Sequence, residues 1–368
     1  MPRLEPAVLA LENGQLFEGT AFGATGRVEG EVVFNTSMTG YQEVLTDPSY
    51  WGQIVAMTAP QIGNTGVNAE DPESEHPWLS GFIAREFSRK VSSHRATGSL
   101  AAYLESHGVV GLHGVDTRAL TRLLREEGCL RGVLVSGEPL AAVTERQLLD
   151  AARAVPDISS LDAVGAVTSR APWEWQSGRT GPTLAVIDVG LKRNILRSLA
   201  ERGARVVVFP AGATADEILE IRPAGLFLTN GPGDPRSAGQ VLETIRGLLG
   251  KLPIQGICLG HQLLALAAGA DTFKLKFGHH GTNHPVLHER TGKIEITSQN
   301  HNFAVDEESV VSRGFEITHR SLFDGTVEGM AHKDLRVSSV QYHPEAAPGP
   351  HDSGYLFASF LEHVGGRA

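Results

Sequence analysis

A cysteine held between two glycines, Gly256-Ile257-Cys258-Leu259-Gly260, constrains this chain more than any other feature. The apolar run before it reads as a strand. The run after it, Leu263-Leu264-Ala265-Leu266-Ala267-Ala268, reads as a short helix closed by Gly269, a residue suited to a left-handed helix cap. Cys258 therefore falls on a sharp strand-to-helix turn. The flanking glycines let that turn be tight and let another backbone come close. Such an elbow raises its central side chain at the carboxyl end of a sheet. It also aims the free N–H groups of a helix start at the same point. On this pattern alone Cys258 is either a nucleophile or a small buried hydrophobe.

The elbow sits inside a longer alternation. Thr183-Leu184-Ala185-Val186-Ile187-Asp188 reads as a strand, as do residues 206–209 and 225–228, with helices expected over 192–202 and 214–221. Alternation of this kind implies a largely parallel sheet flanked by helices on both faces. Upstream, residues 6–60 read as short alternating strands with Gly turns. Helices are expected at 99–108, at 117–127 behind a capping Asp116, and at 142–154. Residues 159–182 are rich in Ser, Gly, Thr and Pro and read as a linker. The expected fold class is therefore α/β. An N-terminal β-rich α+β domain over 1–158 precedes an α/β domain over 183–368, a natural division for 368 residues.

A nucleophile needs a base and an oxyanion site. Residues 337–342 read as a strand that runs into His343-Pro344-Glu345. Residues two apart in an extended segment share a face, so His343 and Glu345 can point the same way. A free thiol, with a pKa of about 8.5, is mostly protonated near neutrality. A neutral imidazole can take its proton, and a carboxylate can fix the imidazole tautomer. Without the cysteine, His-Pro-Glu is a turn after a strand. Residues 226–228 form a second strand that stops in Thr229-Asn230-Gly231-Pro232-Gly233-Asp234-Pro235. The N–H groups of Gly231 and Leu259 can together face a developing oxyanion; the plain alternative is a turn-rich loop. His301, in Gln299-Asn300-His301-Asn302-Phe303, is a rival base.

Bulk properties exclude several classes. A formal net charge of -10 and a pI near 5.8 argue against a sequence-independent nucleic-acid binder. No window reaches the roughly 18 apolar residues of a membrane span. Two cysteines, Cys129 and Cys258, make no disulfide framework, and a cytoplasmic setting fits them. No signal-peptide pattern opens the chain, and Cys129 receives no role. No G-x-x-x-x-G-K-[ST] pattern is present, so nucleotide chemistry is expected elsewhere.

With strand–Gly-Pro-Gly, Gly-x-Cys-x-Gly and His-Pro-Glu in that order, residues from about 183 to 365 resemble the class I glutamine amidotransferase family. The upstream half narrows the resemblance. The segments Val32 to Tyr50, Pro60 to Gly66 and Val115 to Glu126 are similar to the small, glutamine-hydrolysing chain family of carbamoyl phosphate synthetase. So are Lys192-Arg193-Asn194-Ile195-Leu196, Phe277-Gly278-His279-His280-Gly281 and Gln299-Asn300-His301.

The resemblance implies hydrolysis of glutamine through a Cys258-His343-Glu345 triad and a glutamyl thioester. It implies an oxyanion held at Gly231 and Leu259. Ser49, Gly233, Gln262, Asn300, Asn302 and Phe303 would frame the glutamine, and the loop around Asn300 would hold its α-amino and α-carboxylate groups. Some relatives have Gly where this chain has Asn302, and Asn tolerates positive φ better than most residues. His279, His280 and His284 are expected in a structural or interface loop, with no metal. No cofactor is expected in this chain. ATP and Mg would sit on a large-subunit partner that receives ammonia by a closed route and makes carbamoyl phosphate for arginine and pyrimidine synthesis. Other readings are a glutaminase chain for a different synthetase, a non-catalytic assembly subunit, and a stand-alone cysteine hydrolase. The N-terminal half argues against the first, and the complete triad against the second.

Overall fold

Among the described residues, nine strands build the first half of the chain: β1 (Pro6–Leu11), β2 (Leu16–Gly23), β3 (Gly26–Asn35), β4 (Gln53–Met57), β5 (Gln61–Ile62), β6 (Gly81–Ala84), β7 (Glu86–Phe87), β8 (Val110–His113) and β9 (Leu130–Ser136). Except for the small β5–β7 pair, they close into a barrel of order β1-β2-β8-β6-β4-β3-β9. The run β3, β4, β6, β8 is parallel and the remaining pairings are antiparallel. Helix Thr117–Glu127 starts where Asp116 accepts from the Ala119 N–H, and Glu145–Ala154 starts in a capping box between Thr144 and Gln147. Each cap satisfies backbone donors that a helix start leaves open. Val33, Val55, Met57, Phe82 and Leu104 are fully buried in one apolar cluster of this half.

The second half carries β10 (Trp173–Trp175), β11 (Thr183–Asp188), β12 (Arg205–Pro210), β13 (Gly225–Leu228), β14 (Ile254–Ile257), β15 (Thr272–His288), β16 (Ile294–Val305), β17 (Glu316–Ser321), β18 (Val327–His332) and β19 (Val337–Val340). They form one sheet of order β10-β12-β11-β13-β14-β19-β18-β17-β15-β16. From β12 through β19 the neighbours are parallel. Alternate residues of β11 enter different apolar clusters: Ala185 and Ile187 pack with Leu226, Leu263 and Ile245, while Leu184 and Val186 pack with Ile195, Leu199 and Phe227. A strand buried on both faces reads as a continuous apolar run, which is why these strands are plain in the sequence.

In this computed structural model the structure describes residues 5–365, so the domain ends expected at 1 and 368 lie outside them. The chain divides into two compact units, Met1–Leu161 and Asp162–Ala368. The stretch 159–182 differs from a linker. Asp162 accepts from the Gly165 N–H and starts a helix, Ala163–Val167, whose Val164 joins the apolar cluster around Ala185. Thr168 Oγ1 donates to the Asp188 carbonyl at 2.7 Å, and β10 pairs antiparallel with β12. A short apolar helix and a Trp-Glu-Trp edge strand are hidden there by polar composition.

Beyond β19 the sheet continues antiparallel through β18, β17, β15 and β16. His279, His280 and His284, expected in a loop, lie on the 17-residue β15. Asn300 to Phe303, also read as loop, lie on β16. The ladder between these strands breaks register between Lys274 and His279 and again between Gly281 and His284. Such bulges re-aim side chains and blur a period-2 pattern. Among the described residues, no helix is long and apolar enough to cross a membrane.

Candidate active site

The elbow forms as the glycine spacing requires. Strand β14 ends at Ile257 and helix Leu259–Ala267 begins at once, leaving Cys258 at φ 52, ψ -106. Positive φ is uncommon for a residue with a Cβ and marks stored backbone strain. The Cys258 N–H still donates to the Val340 carbonyl at 2.9 Å, so β14 holds its place beside β19 to the last residue. A Cβ on Gly256 would lie 2.6 Å from the Gly260 carbonyl oxygen, and one on Gly260 would lie 2.5 Å from that of Leu228. Neither position admits a side chain without moving backbone. The thiol is buried, and Sγ donates to the Asn300 carbonyl at 3.5 Å.

His343 lies three residues past the end of β19, after Gln341 and Tyr342. Its N–H donates to the Ser298 carbonyl of β16 at 2.9 Å, which ties the end of one strand to another. Nδ1 of the ring lies 2.6 Å from Glu345 Oε1. The same carboxylate oxygen accepts from Lys192 Nζ at 3.0 Å, and Lys192 also donates to the Ala346 carbonyl at 2.5 Å. Asn194 Nδ2 donates to the Glu345 carbonyl at 2.5 Å. Lys192, His343 and Glu345 are all buried.

Burial alone would raise the Glu345 carboxyl. The Lys192 ammonium, and then the His343 ring, reverse this and hold it below the usual carboxylate range. Burial likewise works against an imidazolium at His343. The Glu345 carboxylate and the Cys258 sulfur outweigh it and push the imidazole above its ordinary value. Among the described residues His343 Nε2 makes no hydrogen bond, so one ring nitrogen is anchored and the other is open for chemistry. His301 has no such opening. Its Nδ1 lies 2.7 Å from the Phe303 carbonyl and its Nε2 lies 2.9 Å from Gln299 Oε1. Burial and the neighbouring His279 push its pKa well down.

The other expected site residues are partly gathered around this centre. Gly231 and Leu259 are neighbours: a Cβ on Gly231 would lie 2.8 Å from Leu259 Cδ2. Gly233 follows in the same turn with φ 86. Gln262, on the first turn of the elbow helix, donates to the Phe303 carbonyl at 2.8 Å and to Gln341 Oε1 at 3.0 Å. Asn300 and Asn302 are bridged by one ring, with His280 Nδ1 at 3.0 Å from Asn300 Oδ1 and Nε2 at 2.9 Å from Asn302 Oδ1. Asn302 is ordinary strand and needs no positive φ. Ser49 lies in the first unit, buried on the turn Pro48–Tyr50, where its N–H donates to Asp47 Oδ1 at 2.9 Å.

Lys192 and Asn194 were legible only as part of a segment and had no role assigned. Their position just past the carboxyl end of β11, where α/β sheets place ligand-binding groups, was the usable signal. His279, His301 and Glu328 each bring one ligand atom to within 4.8 Å of the others, the spacing of a cation site. Hydrogen bonds and ion pairs among these residues, Gln299 and Asp324 already engage most of that donor set.

The description "Glutamine amidotransferase class-I" matches residues 185–363, and "Carbamoyl-phosphate synthase small chain, CPSase domain" matches residues 9–134. A carbamoyl phosphate synthase small chain from Thermus thermophilus is 52% identical over 367 residues, covering 98% of this chain and 93% of its own. One from Chlorobaculum tepidum is 51% identical over 360 residues, covering 97% of each. One from Aquifex aeolicus is 50% identical over 368 residues, covering 97% of this chain and 98% of its own. Both halves thus match one family in the order the strands and the elbow demand, and the chain belongs to the carbamoyl-phosphate synthase small chain family, with a class I glutamine amidotransferase domain as its second half.

Proposed function

We propose that this chain hydrolyses the side-chain amide of glutamine and passes the ammonia to a large-subunit partner, where ATP, Mg and bicarbonate are used to make carbamoyl phosphate. The observation that carries the reading is the His343 ring, anchored through Nδ1 on Glu345 and open at Nε2, beside a cysteine on a strained elbow. His343 takes the thiol proton through Nε2 as the Cys258 sulfur bonds to the amide carbon. The carbonyl electron pair moves onto oxygen, faced by the N–H groups of Gly231 and Leu259. Collapse re-forms the carbonyl and expels the nitrogen, which leaves as ammonia with the proton His343 held. Water, deprotonated by the same ring, then cleaves the glutamyl thioester and returns the thiol. Glu345 holds the tautomer and the imidazolium, and Lys192 keeps Glu345 charged. Ser49, Gly233, Gln262, Asn300, Asn302 and Phe303 frame the substrate in this reading.

The test is Cys258→Ala. Glutamine-dependent synthesis by the assembled complex should fall by about 10⁴ or more, because members of such a triad act as a unit. Synthesis from free ammonia should persist. Acid-quenched wild type should retain radiolabelled glutamate on the chain, and the variant none. Label retained by Cys258→Ala would end the proposal.

A further inference from the structure

A buried chain of polar groups leads away from the substrate segment on β16, and its hydrogen bonds can be counted. His301 Nδ1 lies 2.7 Å from the Phe303 carbonyl. A carbonyl only accepts, so Nδ1 carries a proton. His301 Nε2 lies 2.9 Å from the side-chain amide of Gln299, and the other end of that amide lies 2.9 Å from Glu328 Oε2. Glu328 is fully buried. Its Oε1 lies 3.4 Å from His279 Nδ1, and His279 Nε2 lies 2.8 Å from Asp324 Oδ2.

An amide offers one donor end and one acceptor end, and which end is which follows from its partners. If Gln299 turns its nitrogen to Glu328, its oxygen faces His301 Nε2. His301 must then carry a second proton and be a buried cation. If Gln299 turns its oxygen to Glu328, its nitrogen donates to a neutral His301, and Glu328 must supply a proton as a carboxylic acid. Either way the stretch from Glu328 to His301 holds one proton more than a carboxylate and a neutral imidazole would. The surroundings decide where it sits. His301 is enclosed with His279, His280 and His284, and burial and the His279 charge oppose a second cation. Burial raises the Glu328 carboxyl, although the His279 charge and Gln299 oppose the rise. His279 itself is pushed up: burial lowers it, and the acidic neighbours outweigh burial; with Glu328 neutral, the Asp324 carboxylate 2.8 Å from Nε2 is the charge that holds the imidazolium.

We propose that Glu328 is a neutral carboxylic acid at neutral pH and acts as a positioning residue for glutamine binding. Every bond in the chain then runs one way. His279 donates to Asp324 and stands 3.4 Å from Glu328 Oε1 as a charge contact, the Glu328 hydroxyl donates to Gln299, Gln299 donates to His301, and His301 donates to the Phe303 carbonyl. That carbonyl accepts a second bond from Gln262. The chain therefore fixes the backbone at the end of the segment that the proposed function assigns to glutamine, and the role rests on that assignment. Turning Gln299 gives up its longest contact, 3.3 Å to Thr297 Oγ1, while Thr297 keeps its donation to the His284 carbonyl.

The experiment uses the full-length chain labelled with ¹³C at the glutamate carboxyls. At pH 7 one carboxyl signal should stand at the neutral-acid position and be missing from Glu328→Gln. The amide of Glu328→Gln can still donate to Gln299 and keep an oxygen beside His279. It should keep KM for glutamine within about twofold of wild type, whereas Glu328→Leu, which leaves one end of the Gln299 amide without its carboxyl partner, should raise KM by about tenfold or more with kcat falling less. An ionised Glu328 at pH 7 overturns the proton placement, and so does a Glu328→Gln variant as impaired as Glu328→Leu. An unchanged KM in Glu328→Leu overturns the positioning role. Absence of glutamine hydrolysis in the wild type would overturn the functional reading instead, and the carboxyl signal would still decide the proton placement.

Discussion

Replacing Lys192 by Met tests the electrostatics of the site most directly. Met keeps the length and apolar stem and removes the ammonium that lies 3.0 Å from Glu345 Oε1. Both side chains are buried. At that distance, and with an effective dielectric near 20, the attraction is about 5–6 kcal/mol before desolvation. Removing one member of a buried pair usually costs about 3–5 kcal/mol, because the remaining charge is stranded. The Glu345 carboxyl is held low in the folded chain, so its contribution is present above the ordinary carboxylate pKa of about 4.3 and lost as pH falls through the folded value. Without Lys192 the folded value rises, and that loss moves to higher pH. Urea unfolding at pH 5, 7 and 8 should show Lys192→Met weakened by about 3 kcal/mol or more at pH 7. The deficit should shrink toward pH 5, where the stranded Glu345 of the variant takes up a proton and sheds its uncompensated charge, while the wild type still keeps its full contribution. Glutaminase kcat should fall with its acid limb displaced upward. Stability within about 1 kcal/mol of wild type across that range, with an unchanged pH profile, would show that the pair is not what holds Glu345 charged.

Two further outcomes follow from the same geometry. His343→Asn should cut kcat by about 10⁴ or more, whereas His301→Asn should act mainly on KM, since both ring nitrogens of His301 are already engaged. Single-turnover kinetics separate the two, and a lost chemical step in His301→Asn alone would mean that the wrong base has been named. A fragment starting at Asp162 should melt above one starting at Thr183 in a thermal scan, because only the longer one retains Val164 in the core and the β10 pairing to β12. Equal melting temperatures would show that residues 162–182 add nothing to the second unit.

The parallel half of the sheet was readable because strands buried on both faces leave unbroken apolar runs, as in Leu184–Ile187 and Gly225–Leu228. The elbow was readable because only glycine fits beside Cys258. The antiparallel half was not. Strand β15 buries Gly278, His279, His280 and Gly281 in succession and breaks register twice, so no period-2 pattern marks it as a strand. Lys192 was hidden for a different reason. A lysine is expected on the surface, and nothing local announces that a glutamate 153 residues later will bury it. The helix Ala163–Val167 was lost to the polar composition around it.

The two halves treat their strand edges differently. A closed barrel has no edge to offer, so the seven barrel strands of the first unit are protected from strand-to-strand association by topology, and among the described residues only the two-residue strands β5 and β7 stand outside it. The second unit has two edges. One is β10, three residues long and pinned by the Arg205–Glu174 ion pair at 2.8 Å. The other is β16, twelve residues long, the kind of edge that normally invites aggregation. Four of its backbone groups bond to side chains or loop backbone instead of a strand. The Ile296 N–H donates to Asp352, the Ser298 carbonyl accepts from the His343 N–H, the Asn300 carbonyl from the Cys258 thiol, and the Phe303 carbonyl from Gln262. The wall beside Cys258 is thus a sheet edge met by side chains and loop rather than by another strand. A proline within residues 298–303 would unpick catalysis and solubility together, whereas side-chain changes there that spare the backbone would trouble only the first.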